Sequence, residues 1–175
     1  MVLWRISNFA SLSGIGAEFE SGRWHTAAAG KRMVYLSEHP AVALIENLVS
    51  LDGDPRFIQS HFQLLKVSSP DGTKAKQLGP KQLASIDPQD LASSQSIGDR
   101  WLAVQTTALL RVPSIPSPES WNYLLNPLHP DASALKLEWA KPIAYDKRLF
   151  HLGPGSVGVG AQGEASTRSS ALTPV

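Results

Sequence analysis

The 175-residue chain contains no cysteine. This absence excludes a disulfide framework and thiolate metal sites, and it is typical of a protein from a reducing compartment. No segment approaches the roughly 20 consecutive apolar residues that span a bilayer. The amino terminus, MVLWRISNF, also lacks the apolar core of a signal peptide. We therefore expect a cytoplasmic protein with no membrane partner.

Several motifs and charge patterns are missing as well. The chain has 16 lysines and arginines against 15 acidic residues, with no lysine-rich run, so its charge does not favour direct contact with nucleic acid. Neither GxGxxG nor GxxxxGK[ST] occurs, which removes the standard nucleotide-binding fingerprints. The five histidines show no HExxH or similar spacing. We therefore predict no metal site.

The elements that are present indicate an α+β fold. Hydrophobic residues make up 42% of the chain, enough for one sizeable core in one domain. Patterning predicts helices after Pro40 and from Ser96 to about Gln105, with loops and short helices over residues 71–96. It also predicts six short strands, at residues 2–6, 32–36, 62–67, 108–112, 121–125 and 142–145. Helices and strands do not alternate regularly, which favours α+β over a doubly wound sheet. The tail from residue 153, rich in Gly, Ser, Ala and Thr, is predicted to be disordered.

The stretch MVYLSEHPAVALIENLVSL contains an apolar helix with one carboxylate, Glu46. Ser37 with Glu38 is expected to cap this helix, Pro40 suits its first turn, and Gly53 with Pro55 ends it. Four positions at helical spacing are predicted to face the core: Ala41, Leu44, Ile45 and Leu48. Glu46 then lies at the border of that stripe. It is either a boundary residue that reaches water or an arginine, or a functional carboxylate that is partly removed from water.

Other candidate residues fall at the ends of predicted elements. Arg5 and Arg23 suit phosphate or carboxylate recognition, or form structural salt bridges. Tyr35 ends a strand beside Ser37 and could line a pocket. Ser114 has no G-x-S-x-G elbow around it, so a turn hydrogen bond is favoured over a nucleophilic role. Together these residues fit a dinucleotide site without a nucleophilic triad.

Seven motifs in order resemble the RES domain family over residues 2–150: LWRI, SGRWH, MVYLSEHPAVALIENLV, IGDRWL, RVPSIP, NYLLNPLHP and YDKRLF. The resemblance implies a domain at residues 1–152 with a fold similar to ADP-ribosyltransferases, made of central mixed or antiparallel strands with flanking helices. It implies a toxin of a bacterial type II toxin–antitoxin pair that breaks down NAD⁺. Several members split NAD⁺ with inorganic phosphate into nicotinamide and ADP-ribose 1″-phosphate. Transfer of ADP-ribose to a protein, or hydrolysis of NAD⁺, are the alternatives.

The resemblance also assigns site residues. The family's glutamate falls on Glu46, where it would stabilise positive charge on the nicotinamide ribose. Its arginines match Arg5 and Arg23, expected to hold pyrophosphate or phosphate. Its tyrosine matches Tyr35, and its serine matches Ser114, expected to hydrogen-bond phosphate or carboxamide.

Further residues are implied at the edge of this constellation. Ser37, Asn126 and His129 are placed among the substrate-binding residues, although the histidine could simply order its loop. One departure from the family pattern is His25, where many relatives carry asparagine, and it does not fall on the main constellation.

The implied partners are small molecules and one protein. NAD⁺ is the substrate and inorganic phosphate the co-substrate, with no resident cofactor. A cognate helix-turn-helix antitoxin is expected to block the site, so any contact with DNA would be indirect.

Overall fold

The structure, a computed structural model, describes residues 1–51 and 61–150. In these ranges seven strands form one sheet: β1 (Val2–Ser7), β2 (Val34–Ser37), β3 (Gln63–Ser68), β4 (Ala75–Gln77), β5 (Leu109–Pro113), β6 (Trp121–Leu125) and β7 (Lys136–Pro142). The three described helices are α1 (Pro40–Ser50), α2 (Pro80–Ala84) and α3 (Ala92–Val104). The predicted helix end at Gly53 and Pro55 and the predicted disordered tail lie outside the described residues.

The sheet has the order β4-β5-β6-β2-β1-β3-β7 and is antiparallel except between β4 and β5. This mixed sheet with helices confirms the predicted α+β class. β1 pairs with β3 along its whole length, but it meets β2 in a single register pair, Trp4 with Ser37. The two halves of the sheet therefore separate on either side of that pair, and this opening positions the site described below.

The predicted strands agree with the structure at five of six places. The prediction at residues 142–145 is wrong, because the last strand is β7, which pairs with the whole of β3 from Lys136 to Pro142. Pro142 is the last residue of β7, which lies at the edge of the sheet, where a residue without an N–H is tolerated. β4 was not predicted, because its three residues lie in a polar segment expected to form loops.

The helix ends also differ from expectation. His39, not Ser37 or Glu38, caps α1, because its Nδ1 accepts a hydrogen bond of 3.2 Å from the backbone N–H of Ala41. Ser37 remains in β2. α3 starts at Ala92, before the predicted cap at Ser96, and ends where Gln105 adopts a left-handed conformation.

The predicted core stripe of α1 is wrong at two of its four positions. Ala41 is exposed and Ile45 is 36% exposed, whereas Val42 and Ala43 are the buried members. Because residues three and four apart share a helix face, Glu46 lies directly on the buried side, one turn beyond both. The carboxylate therefore points toward the sheet rather than along a border.

Two hydrophobic clusters cover the two faces of the sheet. Leu36 belongs to one cluster, while Tyr35 packs against the other, as expected from the alternation of side chains along a strand. α1 packs on β1 and β2, beside the opening. The described residues up to Ala144 belong to one compact unit, and those from Tyr145 to Phe150 belong to a second, which carries a 3₁₀ turn at Lys147–Phe150. No helix among the described residues is both long and apolar enough to traverse a bilayer.

Candidate active site

A cavity of about 540 Å³ lies where α1, the ends of β1 and β2, and the loop before β2 meet. Its lining includes most of the residues that the sequence singled out: Arg5, Arg23, Tyr35, Ser37 and Glu46. The short connection between β2 and α1 turns the helix back over the strand that precedes it. This brings the helix face with Ala43, Glu46 and Asn47 against the opening in the sheet.

Glu46 is held by two side-chain donors. The Ser114 hydroxyl donates to its Oε1 at 2.7 Å, and Nδ2 of Asn122 donates to the same oxygen at 2.5 Å. No hydrogen bond from the described residues reaches the other carboxylate oxygen, Oε2. The carboxylate is therefore oriented through one oxygen, and the second can accept a hydrogen bond from a ligand.

Asn122 connects this carboxylate to the sheet. Ser37 and Asn122 are register partners on β2 and β6, and the Ser37 hydroxyl donates to Oδ1 of Asn122 at 2.7 Å. The amide of Asn122 is oriented with its Oδ1 toward the Ser37 hydroxyl and its NH₂ group toward Glu46. Ser37 thus acts on Glu46 through Asn122.

Ser114 lies behind Glu46 rather than on the cavity wall. It is 4% exposed, and its oxygen accepts a hydrogen bond of 3.2 Å from the backbone N–H of Ser117. Its own proton is donated to Glu46. Ser114 thereby orients the carboxylate and makes the turn hydrogen bond that the sequence favoured, whereas the family resemblance implied a hydrogen bond to phosphate or carboxamide.

The two arginines present unfilled donors to the cavity. Nη2 of Arg23 donates to the carbonyl oxygen of Pro88 at 3.0 Å, while its Nη1 is buried without a hydrogen-bond partner among the described residues. Arg5 forms no hydrogen bond or ion pair with any described side chain, and burial lowers the pKa of its guanidinium. Cations that are partly removed from water without an acidic partner favour an anionic ligand.

Tyr35 is engaged with the loop that carries Arg23. Its hydroxyl accepts from the backbone N–H of Trp24 at 3.1 Å and lies 2.8 Å from Nδ1 of His25. Burial raises the pKa of this phenol, so it remains protonated. His25 therefore touches the main constellation through Tyr35, contrary to the expectation from sequence.

Asn126 and His129 are not part of this cavity. Oδ1 of Asn126 accepts from the backbone N–H of Leu128 at 3.0 Å, and Nδ1 of His129 accepts from that of Asp131 at 3.1 Å. Both side chains order the loop after β6. The structure thus brings six of the eight predicted site residues together and leaves these two outside the cluster.

Asn122 is the site residue that sequence reasoning missed. It occupies an inward position of β6, in phase with the fully buried Leu124. A polar side chain in the buried phase of a strand was the available signal, because such a group needs a hydrogen-bond partner inside the protein. Within residues 1–51 and 61–150, no group of three acidic or histidine side chains could hold a metal ion.

The fold and the cavity define an α+β protein with an oriented carboxylate beside two arginines that have no acidic partner within residues 1–51 and 61–150. A family model described as the RES domain matches residues 2–147. The chain belongs to the RES domain family.

Named relatives are similar to nearly the whole chain. Toxin Res of Pseudomonas putida is 39% identical over 150 residues, which cover 86% of this chain and 100% of that protein. The Prs ADP-ribosylating toxin of Sphingobium sp. is 33% identical over 156 residues, covering 84% and 95%. Toxin Res of Yersinia enterocolitica is 31% identical over 165 residues, covering 85% and 99%.

Proposed function

We propose that this protein is a toxin that degrades NAD⁺ by phosphorolysis, releasing nicotinamide and ADP-ribose 1″-phosphate. One observation carries the proposal. Oε1 of Glu46 is fixed by two donors, while among the described residues its Oε2 has no hydrogen-bond donor and the two arginines that line the same cavity have no acidic partner. A sugar next to a pyrophosphate satisfies both features at once.

Glu46 acts on the sugar that loses nicotinamide. Its Oε2 accepts a hydroxyl hydrogen bond from the nicotinamide ribose, and its negative charge stabilises the oxocarbenium-like state that forms as the C–N bond breaks. Ser114 and Asn122 prevent the carboxylate from rotating away, so its charge is in place before the bond breaks.

The arginines act on the anionic part of the reaction. Arg5 and Arg23 hold the pyrophosphate and the incoming phosphate, for which the planar, permanently charged guanidinium is suited. An oxygen of the phosphate bonds to the ribose carbon, the C–N bond breaks, and its electron pair leaves with neutral nicotinamide. The ring of Tyr35 packs against the nicotinamide or its ribose while its hydroxyl stays engaged with His25 and Trp24.

Transfer of ADP-ribose to a protein is the second candidate. It is favoured by the 33% identity to a protein whose name describes an ADP-ribosylating toxin. Both reactions pass through the same cleavage of the nicotinamide–ribose bond and differ only in the acceptor. Water as the acceptor would give a third outcome, the hydrolysis of NAD⁺.

The biological setting follows from the relatives named as toxins. We infer a bacterial type II toxin–antitoxin pair, with a cognate helix-turn-helix antitoxin that blocks the cavity and provides any contact with DNA. NAD⁺ and phosphate are cytoplasmic metabolites, so the cytoplasm is the proposed place of action. The proposed fold relationship is to the ADP-ribosyltransferases.

Product analysis tests the proposal. The purified chain is incubated with NAD⁺ with and without inorganic phosphate, and products are separated by chromatography and identified by mass. We expect nicotinamide and ADP-ribose 1″-phosphate only when phosphate is present. Phosphate-independent formation of free ADP-ribose would replace phosphorolysis by hydrolysis, and label retained on a protein from adenine-labelled NAD⁺ would replace it by transfer. Intact NAD⁺ under all conditions would contradict the whole proposal.

A further inference from the structure

The hydrogen bonds around His25 define its protonation. The side chain is 3% exposed, with Nε2 lying 3.0 Å from the backbone carbonyl oxygen of Glu20 and Nδ1 lying 2.8 Å from the Tyr35 hydroxyl. A carbonyl oxygen only accepts, so Nε2 carries the proton. In a neutral ring Nδ1 is then an acceptor, and the Tyr35 hydroxyl donates to it. Burial lowers the pKa of His25, which agrees with a neutral ring.

The donor and acceptor roles of the Tyr35 hydroxyl are therefore defined. It gives its proton to His25 and accepts the backbone N–H of Trp24 at 3.1 Å. Both partners belong to one tight turn, closed by reciprocal backbone hydrogen bonds between Gly22 and His25. Arg23 is the residue at the other central position of that turn, beside Trp24. The Tyr35 hydroxyl thus fixes the backbone of the turn that contains Arg23.

The turn packs closely against Tyr35 at Gly22. A Cβ added to Gly22 would lie 2.4 Å from the Tyr35 oxygen, well inside contact distance. The turn can approach the phenol only because position 22 has no side chain. The glycine at position 22 is therefore a condition for the hydrogen bonds between the turn and the phenol.

Helix α3 holds the opposite side of the same segment. Ser94 Oγ donates to the carbonyl oxygen of Arg23 at 2.6 Å, and Gln95 Nε2 donates to that of Gly22 at 3.0 Å. One turn later Gly98 passes so close to the Trp24 carbonyl oxygen that an added Cβ would lie 1.8 Å from it. The turn is thus fixed between α3 and Tyr35. It carries Arg23, whose Nη1 has no hydrogen-bond partner in the part of the chain that the structure describes.

We propose that His25 is a positioning residue: by accepting the Tyr35 hydroxyl proton it fixes the Gly22–His25 turn, so that Arg23 is presented to the anionic part of the substrate. This inference rests on the proposed function of the cavity. In this proposal the Tyr35 hydroxyl holds the turn in place, while the Tyr35 ring contacts the substrate. Loss of His25 or of the Tyr35 hydroxyl frees the turn. We expect this loss to affect the binding of substrate more than the rate of the bond-breaking step.

A double-mutant cycle tests the proposal. The variants are His25→Leu, Tyr35→Phe and the double variant, with His25→Asn as the conservative partner, because asparagine and leucine have the same branched shape and only asparagine can accept the phenol proton. We expect each single loss to raise KM for NAD⁺ about tenfold with kcat nearly unchanged, and the double variant to raise it no further, since both act through one hydrogen bond. His25→Asn should stay within about threefold of the unmodified protein.

The proposal is overturned if the effects of the two single substitutions on KM are additive. If the double variant raises KM about a hundredfold, His25 and Tyr35 act separately. A lowered melting temperature with unchanged KM would show a merely structural role and would also reject it. Tyr35→Phe retains the packed ring and removes the same hydrogen bond, so an unchanged KM in this variant would also reject the proposal even if His25→Leu does not fold.

A second readout does not depend on activity. Hydrogen exchange of the Trp24 amide, which donates to Tyr35, should quicken in His25→Leu and Tyr35→Phe and stay slow in His25→Asn. If NAD⁺ is not consumed by the unmodified protein but the exchange pattern holds, the proposed function fails and the turn arrangement stands. If NAD⁺ is consumed and exchange is the same in all variants, the positioning role fails alone.

Discussion

The hydroxyl of Ser114 donates a hydrogen bond of 2.7 Å to Oε1 of Glu46, across 68 positions in the sequence. This contact makes the serine a part of how the carboxylate is held. The serine gives its proton to this carboxylate, and no histidine or aspartate among the described residues forms a hydrogen bond with its hydroxyl. The contact leads to the first prediction.

Replacing Ser114 by alanine should lower kcat for NAD⁺ about tenfold, equivalent to roughly 1.4 kcal/mol of barrier, and leave KM almost unchanged. One of the two donors to Glu46 is lost, while Asn122 still holds the same oxygen. Steady-state kinetics measure the effect. Ser133→Ala, at an exposed serine whose hydroxyl donates to the Pro130 carbonyl, is the control. Complete loss of activity in folded Ser114→Ala would instead indicate direct participation of the serine in the reaction.

Replacing Arg23 by lysine should raise KM for NAD⁺ by about tenfold, because an ammonium lacks the planar pair of donors that suits a phosphate oxygen pair. The matched variant is Arg32→Lys, since Arg32 pairs with Glu18 at 2.7 Å and does not line the cavity. Isothermal titration with ADP-ribose checks the binding directly. Equal affinities for the two variants would show that Arg23 does not contact the anion.

Replacing Gly98 by alanine should lower the free energy of unfolding by about 2 kcal/mol, although alanine is favoured in helices by about 1 kcal/mol. The new Cβ would lie 1.8 Å from the Trp24 carbonyl oxygen, so α3 and the turn must move apart. Gly16→Ala is the control, because nothing lies within 4 Å of its added Cβ. Urea unfolding of both variants gives the comparison, and equal midpoints would reject the close approach of α3.

Stability should fall as pH drops below about 6.5, partly because of His25. Burial holds the pKa of this side chain below its ordinary value of 6.5, a shift that Lys31 reinforces and that Asp99 and the Glu20 carbonyl oppose. Below that value the unfolded chain binds a proton that the folded chain does not, so acid favours unfolding. His25→Asn should therefore show a smaller loss of melting temperature between pH 7 and pH 5. An identical pH profile for the two proteins would contradict the neutral, buried ring.

Much of the sheet could be predicted because alternation of apolar and polar residues is local information. The strands at Trp121–Leu125 and Val2–Ser7 follow directly from it. β7 was misplaced, because its limits depend on pairing with β3 and on a bulge at Lys66 and Val67. A strand at the edge of a sheet carries a weaker pattern, since one of its faces and one of its edges meet little protein.

The start of α3 was missed for a related reason. Ser94 and Gln95 suggest a loop, because such residues compete with helical hydrogen bonds. In the structure they form the polar face that holds the carbonyl groups of Arg23 and Gly22. A polar helix face was thus misinterpreted as the absence of a helix, and the segment it binds lies about 70 positions away.

In the site, too, some residues could be predicted from the sequence and others could not. Family motifs named Glu46, Ser114 and Tyr35, and the structure brings all three to one cavity region. The identity of their partners depends on three-dimensional contact: Asn122 reaches Glu46 through strand register, and His25 reaches Tyr35 through a turn. No spacing rule within a single sequence reports such pairs. The inward orientation of Glu46 was likewise set by the rotation of α1, which the apolar pattern alone misjudged.

The central claim is that Glu46 is the group on which NAD⁺ cleavage depends, and Glu46→Gln tests it most directly. Glutamine has the same size and its carbonyl oxygen can still accept from Ser114 and Asn122, so the fold should be retained while the negative charge is lost. Nicotinamide release from NAD⁺ in the presence of phosphate is compared for the unmodified protein, Glu46→Gln and the exposed control Glu138→Gln. The account predicts a loss of at least about a hundredfold in kcat for Glu46→Gln alone. Full turnover by folded Glu46→Gln would contradict it.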